Sequence, residues 1–252
     1  MRSIRPGRIA SAAIAATLLV AAAAPTAGAI VPARLTVSVS PNRIPNARRG
    51  VGTSVKLKNT ITFTHPADSS IRLQRVTLLL PGGGFGVTNG KLFPSCKAST
   101  LNNARGRLSV CPRGSLVGRG IATGTAVDIG VTSTGRLTFF NGPGGRSLTL
   151  NVSIINPALI NATFTAPIRK ISGRYGYRVT FTIPAQLQTI LDGPIVVRRI
   201  TATVGATRSV RGVRRGFIEA MRCPRSRRGP ARGQFGFDDG STSTADATVS
   251  CR

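Results

Sequence analysis

The chain of 252 residues contains no tryptophan, two tyrosines, one histidine and seven acidic residues. Each shortage removes a class of chemistry. With His65 as the sole histidine, a metal site with two imidazole ligands is excluded, and any catalytic dyad built on imidazole must use this residue. His65 falls in His65-Pro66-Ala67-Asp68, directly after a β-patterned run, and reads as an exposed turn. Seven acids leave little material for the converging carboxylate pair of a glycosidase. The one acidic cluster, Asp238, Asp239 and Asp246, flanks a Gly-Ser-Thr turn, lacks the spacing of a Ca²⁺ loop and reads as a solvated hairpin. No G-x-S-x-G elbow is present. The glycines between Gly82 and Gly86 precede neither G-K-[ST] nor a helix, so they read as a flexible turn, not a phosphate loop. Phe217 and Phe235, the aromatics nearest the arginine-rich stretch, are assigned to the core, which leaves no base-stacking platform for sequence-specific nucleic acid. These absences assign no catalytic residue, metal or cofactor.

Long apolar runs are confined to the N-terminus. Arg2, Arg5 and Arg8 precede an almost wholly small or apolar stretch from Ile9 to Ala24, and Ala27-Gly28-Ala29 fits an A-x-A cleavage site. Residues 1–29 therefore read as a secretory signal peptide, with the mature chain starting at Ile30. The alternative, an uncleaved anchor, is disfavoured by Ser11, Thr17 and the many alanines, since a span asks for about 20 strongly apolar residues. No later segment reaches that length, so no transmembrane segment is expected after cleavage.

What the chain has in abundance is positive charge and β pattern. Lysine and arginine total 35, for a formal charge of +28, and cleavage would leave +25. Such a charge attracts polyanions. The basic residues are mostly arginine in an Ala- and Gly-rich chain, which a G+C-rich genome also produces, so charge indicates a kind of partner and no identity.

Apolar and polar residues alternate along most of the chain. Leu35, Val37 and Val39 alternate with Thr36 and Ser38; Leu148, Leu150, Val152 and Ile154 with Thr149, Asn151 and Ser153; Tyr177, Val179, Phe181 and Ile183 with Arg178, Thr180 and Thr182. Each reads as a strand with one wet and one dry face. Similar runs lie near 60–64, 71–80, 115–127, 135–140, 160–168, 195–204, 232–238 and 245–251, separated by Gly/Pro turns. Only Pro184–Asp192 has helix-friendly composition. The expected fold is all-β: a β-sandwich of about ten to twelve antiparallel strands with little or no helix, a barrel being second choice. Residues 30–252 are expected to form one domain, with a sub-boundary near 82–90.

Four cysteines in an exported chain imply two disulfides with three possible pairings. Sequential pairing is favoured, Cys96 with Cys111 across a polar loop and Cys223 with Cys251. The first and third strands of a meander lie about 9.6 Å apart, beyond the roughly 7 Å Cα limit of a bridge. Cys223 and Cys251 must therefore sit on neighbouring strands or face each other across the core. FPSC (93–96), CPRGSLVGRG (111–120) with its glycines, Cys223-Pro224 and the terminal Cys251 resemble uncharacterised secreted β-rich proteins of high-G+C actinobacteria. The resemblance implies export, disulfides and a β fold, and no particular activity.

Basic density peaks at 198–232, where Glu219 is the one acid. Arg211, Arg214, Arg215, Arg225, Arg227 and Arg228 are the candidate polyanion-binding residues, because guanidinium suits bidentate contact with phosphate, sulfate or carboxylate. The two trios flank one expected strand at its opposite ends and need not share a patch. Glu219 shares parity with Phe217 and Met221, which places it inward beside an arginine or on a bulge. Asn151-Val152-Ser153 and Asn161-Ala162-Thr163 match glycosylation sequons. The sequence thus reads as a non-catalytic secreted or cell-wall-associated protein holding anionic envelope polymers through arginines. The alternatives are an adhesion or carbohydrate-binding module, for which Tyr175 is the one attractive aromatic, and a hydrolase centred on His65. Intact mass of exported protein should correspond to a chain starting at Ile30; retention of Met1 would overturn the cleavage assignment.

Overall fold

The structure is a computed structural model that describes residues 31–47, 50–66, 68–82, 87–191 and 193–252. The signal peptide expected at 1–29 lies outside these residues, as does most of the glycine cluster at 83–86. Eleven strands form one antiparallel path: β1 (Ala33–Ser40), β2 (Lys56–Phe63), β3 (Leu73–Pro81), β4 (Leu116–Ala126), β5 (Val131–Asn141), β6 (Ser147–Ile154), β7 (Ile160–Lys170), β8 (Tyr175–Thr182), β9 (Gly193–Val204), β10 (Arg228–Phe237) and β11 (Thr242–Ser250). Their order across the sheet is β1-β2-β9-β4-β5-β6-β7-β8-β3-β10-β11. The two end strands, β1 and β11, pack against each other, so the sheet curls into a nearly closed barrel or flattened sandwich.

Direction sets the character of the seam. Consecutive strands of the chain run in opposite senses, and with eleven of them β1 and β11 point the same way. Their seam is parallel, where every other junction is antiparallel. Beyond the strand ends it is stitched by one parallel bridge: Ile44 N–H donates to the Arg252 carbonyl (2.7 Å) and Arg252 N–H to the Asn42 carbonyl (2.8 Å).

One sheet that buries its own face needs sharp curvature, and β4 supplies it. Its inward positions are Gly118, Gly120, Ala122, Gly124 and Ala126, a stripe almost without side chains. A Cβ on Gly118 would lie 2.6 Å from the Thr203 carbonyl oxygen of β9, and one on Gly124 would lie 2.8 Å from that of Val196. On Gly120 it would meet the Thr201 carbonyl and, at 2.9 Å, the Ala202 Cα. The strands therefore approach more closely than any side chain permits.

Inside lie two apolar groups. One joins β1, β2, β3, β10 and β11 (Leu35, Val37, Ile61, Phe63, Val76, Phe235, Val249), and the other joins β4 to β9 (Leu137, Phe139, Leu150, Val152, Val179, Ile195). Leu80, Phe181, Ile183, Ile200 and Ile218 touch both, so they form one interior. The outer face of β1, β2 and β9 is polar, with Arg34, Thr36, Lys58, Thr62, Arg199 and Thr203. A bilayer-spanning barrel carries its apolar band outside; here the apolar face is inside.

Both disulfides are sequential: Cys96–Cys111 with Cα atoms 5.3 Å apart and Cys223–Cys251 with 5.9 Å. Cys223 escapes the meander constraint because it sits in the irregular segment before β10, not on a strand. The 96–111 loop is not merely polar. It holds the helix α1 (Ala98–Asn103), whose Leu101 packs with Cys96 against Phe140 on the outside of β5. This lid makes the outer face of β6 dry, contrary to its alternation. Thr149 is buried and donates to the Cys96 carbonyl (2.8 Å), and buried Asn151 donates to Asn161 Oδ1 (2.6 Å) and Thr163 Oγ1 (2.9 Å). Both survive there because each finds a partner. The first sequon asparagine is thereby sealed from solvent. The described part of the stretch expected to favour helix, residues 184–191, is no helix beyond a single 3-10 turn at Ala185–Leu187, and Thr189–Ile190 instead pairs with β9.

Replacing Gly120 by Val should lower stability by about 3 kcal/mol in urea unfolding, because no rotamer relieves a backbone clash. Ile121→Val, on the exposed side of the same strand, should stay within about 0.5 kcal/mol of the parent.

Candidate functional site

Strict alternation of strand direction sorts every connection to one of two ends. Segments 41–55, 82–115, 142–146, 171–174 and 205–227 lie at one end with Arg252; segments 64–72, 127–130, 155–159, 183–192 and 238–241 lie at the other. Charge follows this division. Each connection at the first end carries at least one arginine or lysine, including Arg43, Lys91, Arg113, Arg146, Arg174 and Arg222, and their one acid is Glu219. The connections of the second end hold Asp68, Asp128, Asp238 and Asp239 and a single described arginine, Arg72, which is bound to Asp238 (Nε to Oδ2, 2.6 Å), with Arg34 and Arg75 on the adjoining strand ends. The molecule has a basic end and an acidic end.

Both candidate trios are at the basic end. The strand expected between them is only Ile218–Ala220, about 10 Å long at the usual rise; it cannot carry them to opposite ends of the barrel. Arg211, Arg214 and Arg215 stand on a hairpin of Thr207–Val210 paired with Val213–Gly216. Its two-residue turn is Arg211-Gly212, both with positive φ (51° and 78°), a conformation that a primed hairpin turn demands and a non-glycine residue resists. Arg225 and Arg227 lie between Cys223 and β10, and Arg228 is the first residue of β10. That segment is pinned by the Cys223–Cys251 bridge, by the Arg227 N–H to the Pro224 carbonyl (2.8 Å) and by the Cys251 N–H to the Arg227 carbonyl (3.1 Å).

The six are not equivalent. Arg211, Arg214, Arg225, Arg227 and Arg228 are exposed, and none forms an ion pair with a described residue. Arg215 is committed to structure: its Nε donates to Glu219 Oε1 (2.9 Å) and its Nη2 to Oε2 (3.0 Å). Glu219, 1 % exposed, also accepts from the Gly216 N–H (2.8 Å) and more weakly from the Gly52 N–H (3.4 Å). Burial alone raises this carboxyl, but hydrogen bonds from Arg215, the Gly216 N–H and Asn89, together with the Arg215 charge, hold it below its ordinary value. The carboxylate ties the root of the arginine hairpin to the short sheet formed by Thr53–Ser54, Val87–Thr88 and Ile218–Ala220.

Sequence reading missed the basic residues that join this end from distant segments: Lys91, Lys97, Arg105, Arg107 and Arg113 from 82–115, Arg146 from 142–146 and Arg174 from 171–174. Counting strands would have found them, because connections alternate between ends. Arg208 is held close by, donating to the Leu92 carbonyl (2.8 Å) with its guanidinium 6.0 Å from the Phe93 ring centroid.

His65 is buried, not in an exposed turn. Its parity continues Ile61 and Phe63 inward past the end of β2, and its ring lies edge-on to Phe237. Nε2–H donates to the Val197 carbonyl (2.9 Å), and Nδ1 is buried with no partner among the described residues. Burial pushes its pKa down, a push that the Val197 hydrogen bond opposes and the Arg198 charge reinforces. The Asp cluster is dispersed among other duties: Asp238 binds Arg72, Asp246 binds Arg232 (2.7 and 2.8 Å) and Asp239 caps the turn at the Ser241 N–H (2.9 Å). Among the described residues no three His, Cys, Asp or Glu side chains converge. Tyr175 is half-buried, its hydroxyl is enclosed without a partner among the described residues, and Arg174 sits 5.7 Å from its ring, so it offers no open platform. No helix among the described residues is long and apolar enough to cross a membrane. No family model matches the chain, and neither a curated protein nor a solved structure shows significant similarity to it.

Arg215→Ala, which leaves Glu219 buried and without its cation, should lower stability by about 3 kcal/mol at pH 7. Because the folded carboxyl titrates below its unfolded value of 4.5, the pair stabilises fully above that pH and is lost as pH falls through the folded value. Glu219→Gln should therefore flatten the acid limb of the stability profile below pH 4.5 in chemical unfolding.

Proposed function

We propose that this is a non-catalytic binding protein of the extracellular space or cell envelope that holds anionic polymers end-on through the exposed arginines of its basic end. The observation that carries the reading is the segregation of charge: arginines and lysines from five separate connections meet at one end, and the one acid among them is buried under Arg215. Arg211, Arg214, Arg225, Arg227 and Arg228 form no ion pair with a described residue and are held by a disulfide or a hairpin, so little side-chain order beyond their own rotamers is lost on binding. Two disulfides fit an oxidising compartment, and the signal-like N-terminus agrees. Guanidinium groups favour phosphate and carboxylate oxygens alike, so charge density and spacing, not base or sugar identity, set the affinity.

Binding to inorganic polyphosphate or poly-glutamate should weaken steeply with salt, as each neutralised anion releases a counterion. Replacing Arg225, Arg227 and Arg228 by Ser should weaken binding roughly 100-fold at low salt, at about 1 kcal/mol per arginine, and should reduce the salt slope. Replacing Arg34, Arg136 and Arg199, on the barrel wall, should do much less. Equal effects of the two triple variants would mean diffuse charge, and salt-independent or absent binding would remove the polyanion reading.

A further inference from the structure

Between the inner faces of the sheet lies a cavity of about 200 Å³. Protein interiors have few voids larger than a water molecule, and an engineered apolar cavity of about 150 Å³ stays dry and takes benzene. The void has a cause in the sequence: Ala122, Gly124, Gly135 and Ala202 form part of its wall beside Leu78, Leu137, Phe139 and Phe181, and at those four positions the wall contributes almost no side chain. Gly124, one of the glycines that let the sheet curl, also helps leave its centre unfilled.

One polar side chain stands out in this wall. Asn59 lies in the middle of β2, paired with Val37 on one side and Ala202 on the other, at a position where its neighbours Leu57 and Ile61 are apolar. It is 7 % exposed, and its carboxamide oxygen is buried with no hydrogen-bond partner among the described residues. Leaving a buried acceptor unmet costs about 1–3 kcal/mol, and Leu at this position would be free of that penalty. The asparagine acquires a purpose only with a donor in the cavity.

We infer that the barrel interior binds one neutral, largely apolar small molecule, on the order of eight carbon atoms by scaling from benzene, whose single hydroxyl or N–H donates to Asn59. A charged headgroup is excluded, because an ion in this wall would lose its hydration for one amide dipole. Access is from the acidic end, where Ile155 (64 % exposed), Leu159 (78 %) and Leu191 (65 %) crown the turns next to the cavity residues Ile154, Leu187 and Ile195. The basic end is stoppered by the fully buried Phe217 edge-on to Phe93. This inference is independent of the polyanion reading, which concerns the other end.

The test is titration of the full mature protein with 4-ethylphenol, ethylbenzene and 4-ethylbenzoate, followed by calorimetry and by methyl NMR of the Leu and Val lining the cavity. 4-Ethylphenol should bind one to one, shift the cavity methyls and bind about tenfold tighter than ethylbenzene; 4-ethylbenzoate should not bind. Asn59→Leu should equalise the first two, and Ala202→Phe should abolish both, with folding of each variant checked by its remaining methyl spectrum. Absence of cavity shifts with any probe in the wild type, or a cavity occupied by water alone in nuclear Overhauser contacts, would overturn the inference. So would equal binding of phenol and hydrocarbon by the wild type, which needs no variant to fold.

Discussion

The close approach of β4 to β9 is the constraint on which the rest of the structure depends. A single sheet has no second layer to bury its apolar face against, so it must bend until that face meets itself. Gly118, Gly120 and Gly124 remove the side chains that would otherwise hold the two strands apart at the bend. Curvature brings β1 to β11 and encloses the interior. Packing and the cavity follow from that one steric permission, while the alternation of strand direction sorts the connections, and with them the charge, to two ends.

The polar features fall into those that serve the fold and those left over. Glu219, Asn151, Thr149 and Asp238 are buried or half-buried and hydrogen-bonded; Glu219, Thr149 and Asp238 each join segments far apart in sequence, and Asn151 joins neighbouring strands. The unpaired arginines of the basic end and the unpartnered oxygen of Asn59 contribute no comparable contact. They sit where structure alone gives no reason for them, one group at the surface and one in the core. This contrast, more than charge alone, separates binding from architecture in this chain.

Much of the fold is legible in the sequence because a half-buried strand announces itself by alternation. Leu35 to Val39, Leu148 to Ile154 and Tyr177 to Ile183 show their inner faces directly, and cysteine parity places Cys251 inward. Alternation does not report what covers an outer face. Thr149 and Asn151 are polar yet dry because a loop closed by Cys96 and Cys111 lies over them, and no local pattern encodes that contact. His65 was hidden for a related reason, since the inward parity of β2 runs two residues past the strand into a stretch whose proline suggests a turn. The candidate site was legible in its residues and not in its assembly. Arg211 and Arg225 stand out by density, but Lys91, Arg146 and Arg174 join them only through the order of strands in the sheet. Asn59 carries no sequence signal beyond being one polar residue at an apolar position.

The parallel seam has a consequence for how such a barrel can change size. Adding or deleting a whole hairpin alters the strand count by two and leaves the first and last strands pointing as before, so the junction and its Arg252 bridge keep their geometry. Gaining or losing a single strand would reverse one of them and turn the seam antiparallel, with a different hydrogen-bond spacing and the chain end at the opposite pole. Growth or shrinkage of this architecture is thus quantised in hairpins, and its odd number is a property that small insertions cannot erode.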